Sequence, residues 1–187
     1  MALMAAGQTE FGIVPDHASD DAITYDKLRR RLLWGIANGL YLLGTHQYET
    51  PHVMAVSWVT QVATAPKLLA VSVEFAAKTA GCIDDSGNFL LALLPRERKE
   101  IVRKFVKPEL EVVTTDGGLS IQGLAFGLSE FGNPFPLEAL GYLEMRLVSR
   151  TALGSHVLYL GEVCDAVLVQ GEAEILTMRD TRMNYGG

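Results

Sequence analysis

Apolar runs with few charges dominate the chain from about residue 39, and glycine, proline or charged residues separate them. Runs of this length and composition predict β-strands, at 39–48, 67–74, 88–94, 139–153 and 155–171. Apolar residues at helical spacing predict three helices, at 25–34, 77–87 and 96–106. Strands and helices do not alternate regularly, so the pattern favours a mainly β or α+β fold centred on a small barrel over a parallel sheet.

The segment from Pro51 to Glu74 has the β pattern but an unusual polarity. No charged residue lies between Pro51 and Pro66, and the polar positions there include hydroxyl residues such as Ser57 and Thr60. Neutral hydrogen-bonding groups on an otherwise apolar strand indicate a surface that something other than water covers. The pattern leaves open whether the cover is another chain or a flat polar ligand.

Two segments lack a clear pattern. Residues 1–22 mix small, acidic and turn-forming residues without periodicity, so we expect a flexible arm there, followed by one domain over 23–187. Residues 110–137 contain five glycines and two prolines, which exclude any long helix or strand. With three phenylalanines, at 126, 131 and 135, this second segment is either a lid over a site or a surface excursion.

Charge and composition restrict the partners. A net charge of −6 disfavours sequence-independent binding to nucleic acid and to anionic membranes. The longest apolar region, 32–45, is interrupted by polar residues and glycines and is too short for a membrane span, and the N-terminus lacks the basic region of a signal peptide. We therefore expect a cytoplasmic protein. Cys82 and Cys164 match no paired spacing, which predicts free, buried thiols.

The common cofactor and catalytic motifs are missing. The sequence has no GxGxxG after a strand, no complete P-loop, no GxSxG and no HExxH, and its four histidines are too dispersed to predict a metal site. Any cofactor is expected to be held by backbone groups, hydroxyls and lysine.

Five segments together resemble the flavin reductase-like family of FMN-binding split β-barrel proteins: "MAVSWVTQV", "AKTAGCIDDSGNFLLALL", "GNPFPLEALGYLEMRLV", "GSHVLYLGEV" and the terminal "YGG". The resemblance runs from about Leu33 to Gly187. It implies a six-stranded split β-barrel of Greek-key type with a few short helices, a homodimer, and FMN or FAD bound near the subunit interface.

The resemblance also implies which residues hold the flavin. The segment around "SWVTQV" would lie against the ring, the ribityl chain or the phosphate, through Ala55, Val56, Ser57, Trp58, Val59, Thr60 and Gln61. Lys78 and Thr79, at a helix start, suit the phosphate. Asn88 is a candidate ligand. Each residue also has a simpler interpretation, such as a polar strand face for Ser57 and Thr60 and a surface lysine for Lys78.

His156 is the candidate catalytic residue, since an imidazole beside a flavin can orient a nicotinamide or stabilise the reduced ring. Family members commonly have an aspartate where this chain has Ser155, so a pH-dependent role is in doubt, and a structural histidine is the alternative. Other departures are His52 for asparagine, Ala63 for serine and Met145 for cysteine. Tyr185 either closes over the cofactor or docks the chain end.

These expectations define an NAD(P)H-dependent flavin oxidoreductase that transfers hydride from NADH or NADPH to FMN or FAD. Such an enzyme can supply reduced flavin to a partner monooxygenase. The first alternative is a flavin-binding electron-transfer protein without nicotinamide activity. The second is a barrel that binds haem or serves as an interaction module.

Overall fold

The computed structural model describes residues 8–9, 12–107, 109–171, 173–181 and 183. They fall into two compact units, one made of the described residues up to Ala37 with Met183, the other running from Asn38 to Thr181. No helix in the described ranges is long and apolar enough to cross a membrane.

The first unit contains one helix longer than two turns. Two short paired strands, β1 (Gln8–Thr9) and β2 (Gly12–Ile13), precede a 3-10 helix and α1 (Ala22–Leu33). Asp21 caps α1, because its carboxylate accepts a hydrogen bond from the Thr24 backbone N–H at 3.0 Å. The helix predicted at 25–34 is confirmed, starting three residues earlier. The proposed domain boundary after residue 22 stays a prediction.

The second unit contains two antiparallel sheets and two further helices. In chain order its elements are β3 (Tyr41–Gln47), β4 (Thr50–Val56), β5 (Val59–Thr64), β6 (Lys67–Glu74), α2 (Lys78–Ser86), β7 (Asn88–Leu93), α3 (Lys99–Val102), β8 (Val112–Thr115), β9 (Gly118–Ile121), β10 (Leu124–Leu128), β11 (Pro134–Pro136), β12 (Gly141–Leu153) and β13 (His156–Leu168).

The larger sheet has seven strands in the order β4-β3-β7-β12-β13-β6-β5. Its edge strands β4 and β5 are consecutive in the chain, joined only by Ser57 and Trp58. A link of two residues spans roughly 10 Å at most, so the sheet curls until its two edges meet at this link. The sheet has one strand more than the six implied by the resemblance.

The inner face of the curled sheet forms one hydrophobic core. Residues from all seven strands and from α2 pack in it, among them Leu43, Val56, Val59, Val71, Ile83, Phe89, Met145 and Tyr159. Long apolar runs with buried positions on both faces, such as β7, correspond to central strands whose outer face is also covered.

The segment 110–137 is more regular than its composition suggests. It holds β8 to β11, which form a four-stranded antiparallel sheet with strands of three to five residues. Gln122 and Gly123, at φ 54° and 72°, form the tight turn between β9 and β10. The strand β11 contacts β3, where Gly44 leaves room for the Pro134 carbonyl. Glycines and prolines here shorten the strands without preventing a sheet.

Other predictions are confirmed in outline. The strands predicted at 39–48, 67–74, 88–94, 139–153 and 155–171 are all present, and the segment from Pro51 to Glu74 forms three strands. The predicted helix at 96–106 divides into α3 flanked by two 3-10 turns. Both cysteines are free, but only Cys82 is buried: the prediction for Cys164 was wrong, because it lies at an exposed position of β13.

Candidate functional site

The link between the sheet edges carries the first group of predicted site residues. Ala55, Val56 and Ser57 are buried where β4 ends. The Trp58 carbonyl accepts a hydrogen bond from the Ser72 backbone N–H at 3.0 Å, which ties the link to β6. The side chain of Trp58 remains 36% exposed. The link is therefore firmly anchored through its backbone and presents an aromatic ring outward.

The strand that follows the link is polar and open. Val59 is half-buried, whereas Thr60 and Gln61 are exposed. Thr60 donates to the Gln61 carbonyl at 3.4 Å, and the Gln61 amide donates to the Ala63 carbonyl at 3.1 Å. Both side chains donate to backbone carbonyls of the same strand, so exchanging those contacts for a ligand disrupts no buried structure.

Two aromatic side chains pack against each other near the end of β6. The Trp58 and His156 rings are tilted at 43° with centroids 4.8 Å apart. His156 lies directly opposite Glu74, the last residue of β6. The next residue, Phe75, is 59% exposed, and its N–H donates to the Ser155 carbonyl at 2.9 Å. We call the pair of Trp58 and His156 the aromatic surface.

Ser155 orients the imidazole. Its hydroxyl oxygen lies 2.8 Å from Nδ1 of His156, so this contact occupies Nδ1 in either tautomer and does not use Nε2. A serine therefore holds the ring where an aspartate was expected, without adding negative charge.

The start of α2 lies a few residues beyond the aromatic surface. Its N-cap is Ala77, which supplies no side-chain cap, and its first turn contains no acidic residue. The backbone N–H groups of a first turn lack helical partners and favour an anion. Lys78, at the first helical position, is exposed. The arrangement is that of an uncapped, positively polarised helix end.

Thr79 is turned away from solvent. It is 1% exposed, and its Oγ1 lies 2.9 Å from Nε2 of His52, which is itself buried on β4. Burial, followed by the neighbouring charge of Lys78, lowers the pKa of His52 from 6.5 to about 4. The imidazole is therefore neutral near pH 7.

Asn88 lies in a different polar cluster, at the other end of α2. Its amide donates to the Ser86 carbonyl at 2.9 Å, and its oxygen accepts from Asn133 at 2.6 Å. Asn133 also donates to the Glu144 carboxylate at 2.5 Å and lies 3.0 Å from Nδ1 of His46. We call Asn88, Asn133, Glu144 and His46 the asparagine cluster.

The asparagine cluster is closed to solvent at its centre. Asn133 and Glu144 are buried, at 0% and 3% exposed. Burial raises the pKa of Glu144, although hydrogen bonds from Ser129 and Asn133 oppose the shift. The Asn88 side chain uses both its amide and its oxygen in these hydrogen bonds within the protein. Its role as a flavin ligand stays a prediction.

The structure thus brings Trp58, His156 and the start of α2 together around the end of β6. Tyr185 lies outside the described residues. Within the described ranges, no three His, Cys, Asp or Glu side chains are grouped so that they can hold a metal ion. Sequence reasoning did not single out Phe75, which is exposed directly after β6; its signal was an aromatic residue at a position between a strand and a helix where a polar turn residue is usual.

Residues 33–187 match the family model described as "Flavin reductase like domain". This match covers more than half of the chain, and it defines the class of protein as flavin reductase-like. The chain belongs to the flavin reductase-like family.

The individual relatives share only about a quarter of their residues with this chain. The High molecular weight rubredoxin of Moorella thermoacetica is 28% identical over 76% of this chain, which spans 61% of that protein. A putative diflavin flavoprotein of Nostoc sp. is 26% identical over 67% of this chain, which spans only 21% of its length. The ferric-chelate reductase (NAD(P)H) of Archaeoglobus fulgidus is 25% identical, with 81% of this chain and 88% of that protein covered.

A solved structure supports the same relationship. The flavin reductase PheA2 in its native state superposes with a TM-score of 0.67 at 25% identity, covering 81% of this chain and 92% of PheA2. The curled sheet described above is therefore shared with a protein named as a flavin reductase.

Proposed function

We propose that this protein is an NAD(P)H-dependent flavin reductase that binds FMN, or FAD, beside the aromatic surface and the start of α2. The observation that supports this most directly is the meeting of three features at the end of β6: an exposed aromatic pair, a neutral polar strand and an uncapped helix N-terminus with Lys78. A flavin nucleotide combines a flat ring, a hydroxylated chain and a phosphate, which match these features in kind.

The residues present fit this cofactor. A phosphate would be held by Lys78 and by backbone N–H groups at the start of α2, where no carboxylate in the first turn opposes it. Backbone groups of residues 57–61 and the hydroxyl of Thr60 would contact the ring and the ribityl chain. When bound, the flavin supplies a ring that accepts electrons from a reduced nicotinamide and passes them on.

The contribution of the chain is positioning. Trp58 provides apolar contact area for a flat ring and excludes water from it. His156 has its Nδ1 held by Ser155, which leaves Nε2 to donate to, or accept from, a bound nicotinamide or flavin. Aligned rings alone account for a large share of such a rate enhancement.

Several finer features belong to the same proposal. We propose that six strands of the seven-stranded sheet form a split-barrel core of Greek-key type. We also propose a homodimer, and a partner monooxygenase or another electron acceptor. The location in the cytoplasm stays a prediction.

Anaerobic absorbance spectroscopy tests the proposal. Purified protein is mixed with FMN, filtered, and treated with NADH and separately with NADPH. Retained yellow colour that bleaches with one nucleotide is the expected result, and FAD in place of FMN establishes the preferred flavin. A protein that neither retains flavin nor catalyses nicotinamide oxidation with excess flavin contradicts the proposal.

The similarity to the High molecular weight rubredoxin favours one alternative, a flavin-binding electron-transfer protein without nicotinamide activity. In the same experiment, such a protein retains flavin that dithionite bleaches and neither nicotinamide nucleotide does.

A further inference from the structure

The helix α2 is held at both ends by two strand residues that face each other. His52 on β4 and Thr45 on β3 are directly opposed in the sheet register. His52 holds Thr79 in the first turn of α2, with 2.9 Å between Nε2 and Oγ1. Thr45 holds Ser86, the last residue of α2, with 3.2 Å between the two hydroxyl oxygens. One member of the pair therefore acts on the start of the helix and the other on its end.

Only the start of α2 has the properties of an anion site. Lys78 is exposed there beside the buried Thr79, and the N-cap Ala77 makes no side-chain hydrogen bond to the N–H groups of the first turn. The end of α2 is closed by Gly87 in the left-handed conformation, at φ 68°, whose N–H donates to the Ile83 carbonyl at 2.9 Å. Each of the two contacts thus joins a strand residue to one end of α2, but only the contact from His52 lies at the end that can bind an anion.

We propose that His52 is a positioning residue for the phosphate of a flavin nucleotide: by holding Thr79, it fixes the direction of the Lys78 side chain and of the first N–H groups of α2. The inference rests on the proposed function, because the phosphate in question is that of the bound flavin. His52 does not touch the phosphate and acts through Thr79.

The electrostatics of this contact suit the role. With its pKa lowered to about 4, His52 is neutral above about pH 6, the range in which a phosphate carries its second negative charge. A neutral ring holds the Thr79 hydroxyl without a charge of its own, so the positive charge of the site stays on Lys78 and at the helix end. The side chain is 4% exposed, which keeps water from replacing it in the hydrogen bond.

Two substitutions separate the hydrogen bond from the packing. In His52→Gln, the amide nitrogen lies as many bonds from Cα as the histidine Nε2, so the bond to Thr79 can be kept. In His52→Leu, the volume is largely kept and the bond is lost. Thr45→Val is the matched control, because it removes the equivalent contact at the other end of α2.

The experiment compares FMN with riboflavin, which has the same ring and ribityl chain but no phosphate. Dissociation constants are measured by flavin fluorescence quenching at pH 7.5. We expect His52→Leu to weaken FMN binding roughly three- to tenfold, the range for one lost hydrogen bond, and to leave riboflavin binding within about twofold. His52→Gln is expected to restore FMN binding, and Thr45→Val is expected to leave the ratio of the two constants unchanged.

Three results overturn the inference while leaving flavin binding intact: an equal loss for FMN and riboflavin in His52→Leu, a selective FMN loss in Thr45→Val, or a wild-type protein that binds both flavins equally. A wild-type protein that binds neither flavin instead overturns the proposed function. If His52→Leu does not fold, Thr79→Val breaks the same hydrogen bond from the helix side. The ratio of its dissociation constants for FMN and riboflavin then supports or overturns the inference by the same criterion.

Discussion

The two polar clusters at the ends of α2 use burial in opposite ways. At the start of the helix, His52 is buried but its neighbour Lys78 is exposed, so a buried neutral group supports an open charged one. In the asparagine cluster, Asn133 and Glu144 are both buried and bond to each other. The first arrangement can orient a ligand, whereas the second consumes its hydrogen bonds within the protein. Buried polar residues therefore indicate a site only where they adjoin exposed donors.

Burial also moves the two titratable groups in opposite directions. It lowers the pKa of His52 and raises the pKa of Glu144, because each group is favoured in its neutral form. The contribution of His52 to stability is present above its unfolded pKa and is lost as pH falls. The contribution of Glu144 is fully present below its unfolded pKa and is lost as pH rises through its folded pKa.

The largest expected effect is on the asparagine cluster. Asn133→Ala removes the bonds to Asn88, Glu144 and His46, leaving buried polar groups without partners, so we expect the free energy of unfolding to fall by about 3–5 kcal/mol. Urea denaturation measures the change. Folded Asn133→Ala is expected to bind FMN as the wild type does, and a loss of less than about 1 kcal/mol would show that the cluster is not structural.

The next effect is the pH dependence of stability. Since the pKa of His52 falls from 6.5 to about 4 on folding, wild-type protein should lose roughly 3 kcal/mol as pH drops from 6.5 to 4, at 1.36 kcal/mol per pKa unit. In His52→Gln this part of the loss should disappear. Urea denaturation at a series of pH values tests it, and identical acid profiles for the two proteins would contradict the buried neutral assignment.

The third effect is on the affinity for FMN at the start of α2. Lys78→Ala removes a charge-assisted contact to phosphate, which is worth about 1.5–3 kcal/mol, so FMN binding should weaken roughly 10- to 100-fold. Riboflavin binding and the free energy of unfolding should change little, because Lys78 is exposed. Isothermal titration with both flavins measures this, and an equal loss for both would place the phosphate elsewhere.

The smallest expected effect is on the polar strand. Thr60→Ala removes one neutral hydroxyl, worth about 0.5–1.5 kcal/mol, so both FMN and riboflavin should bind roughly two- to tenfold more weakly. Thr64→Ala, near the end of the same strand, is the control. Unchanged affinity in Thr60→Ala would mean that this hydroxyl does not contact the flavin.

The strands were predictable because their signal is local. An uninterrupted apolar run such as "NFLLALL" has few alternatives to a buried strand. The helix before it ends at Ser86-Gly87, because glycine readily adopts the left-handed conformation that closes a helix. The sheet in 110–137 was not predictable, because strands of three to five residues carry too little periodicity to stand out among glycines.

The candidate site, too, was predictable only in part. Its residue types, such as "SWVTQV" and "AKT", and their similarity to a family could be found in the chain itself. The sequence did not show which residues these side chains would contact. The bond from His52 to Thr79 joins residues 27 positions apart, and the bond from Asn88 to Asn133 joins residues 45 apart.

By itself, the sequence determined the order and kind of the main elements, the family and the chemical groups available to the site, since these depend on residue type and local spacing. Only the tertiary structure decided which groups meet. The curl of the sheet joins β4 to β5, and the register sets His156 against Glu74. Burial then lowers the pKa of His52 and raises the pKa of Glu144. These properties arise from distances between residues far apart in the chain, which no local pattern encodes.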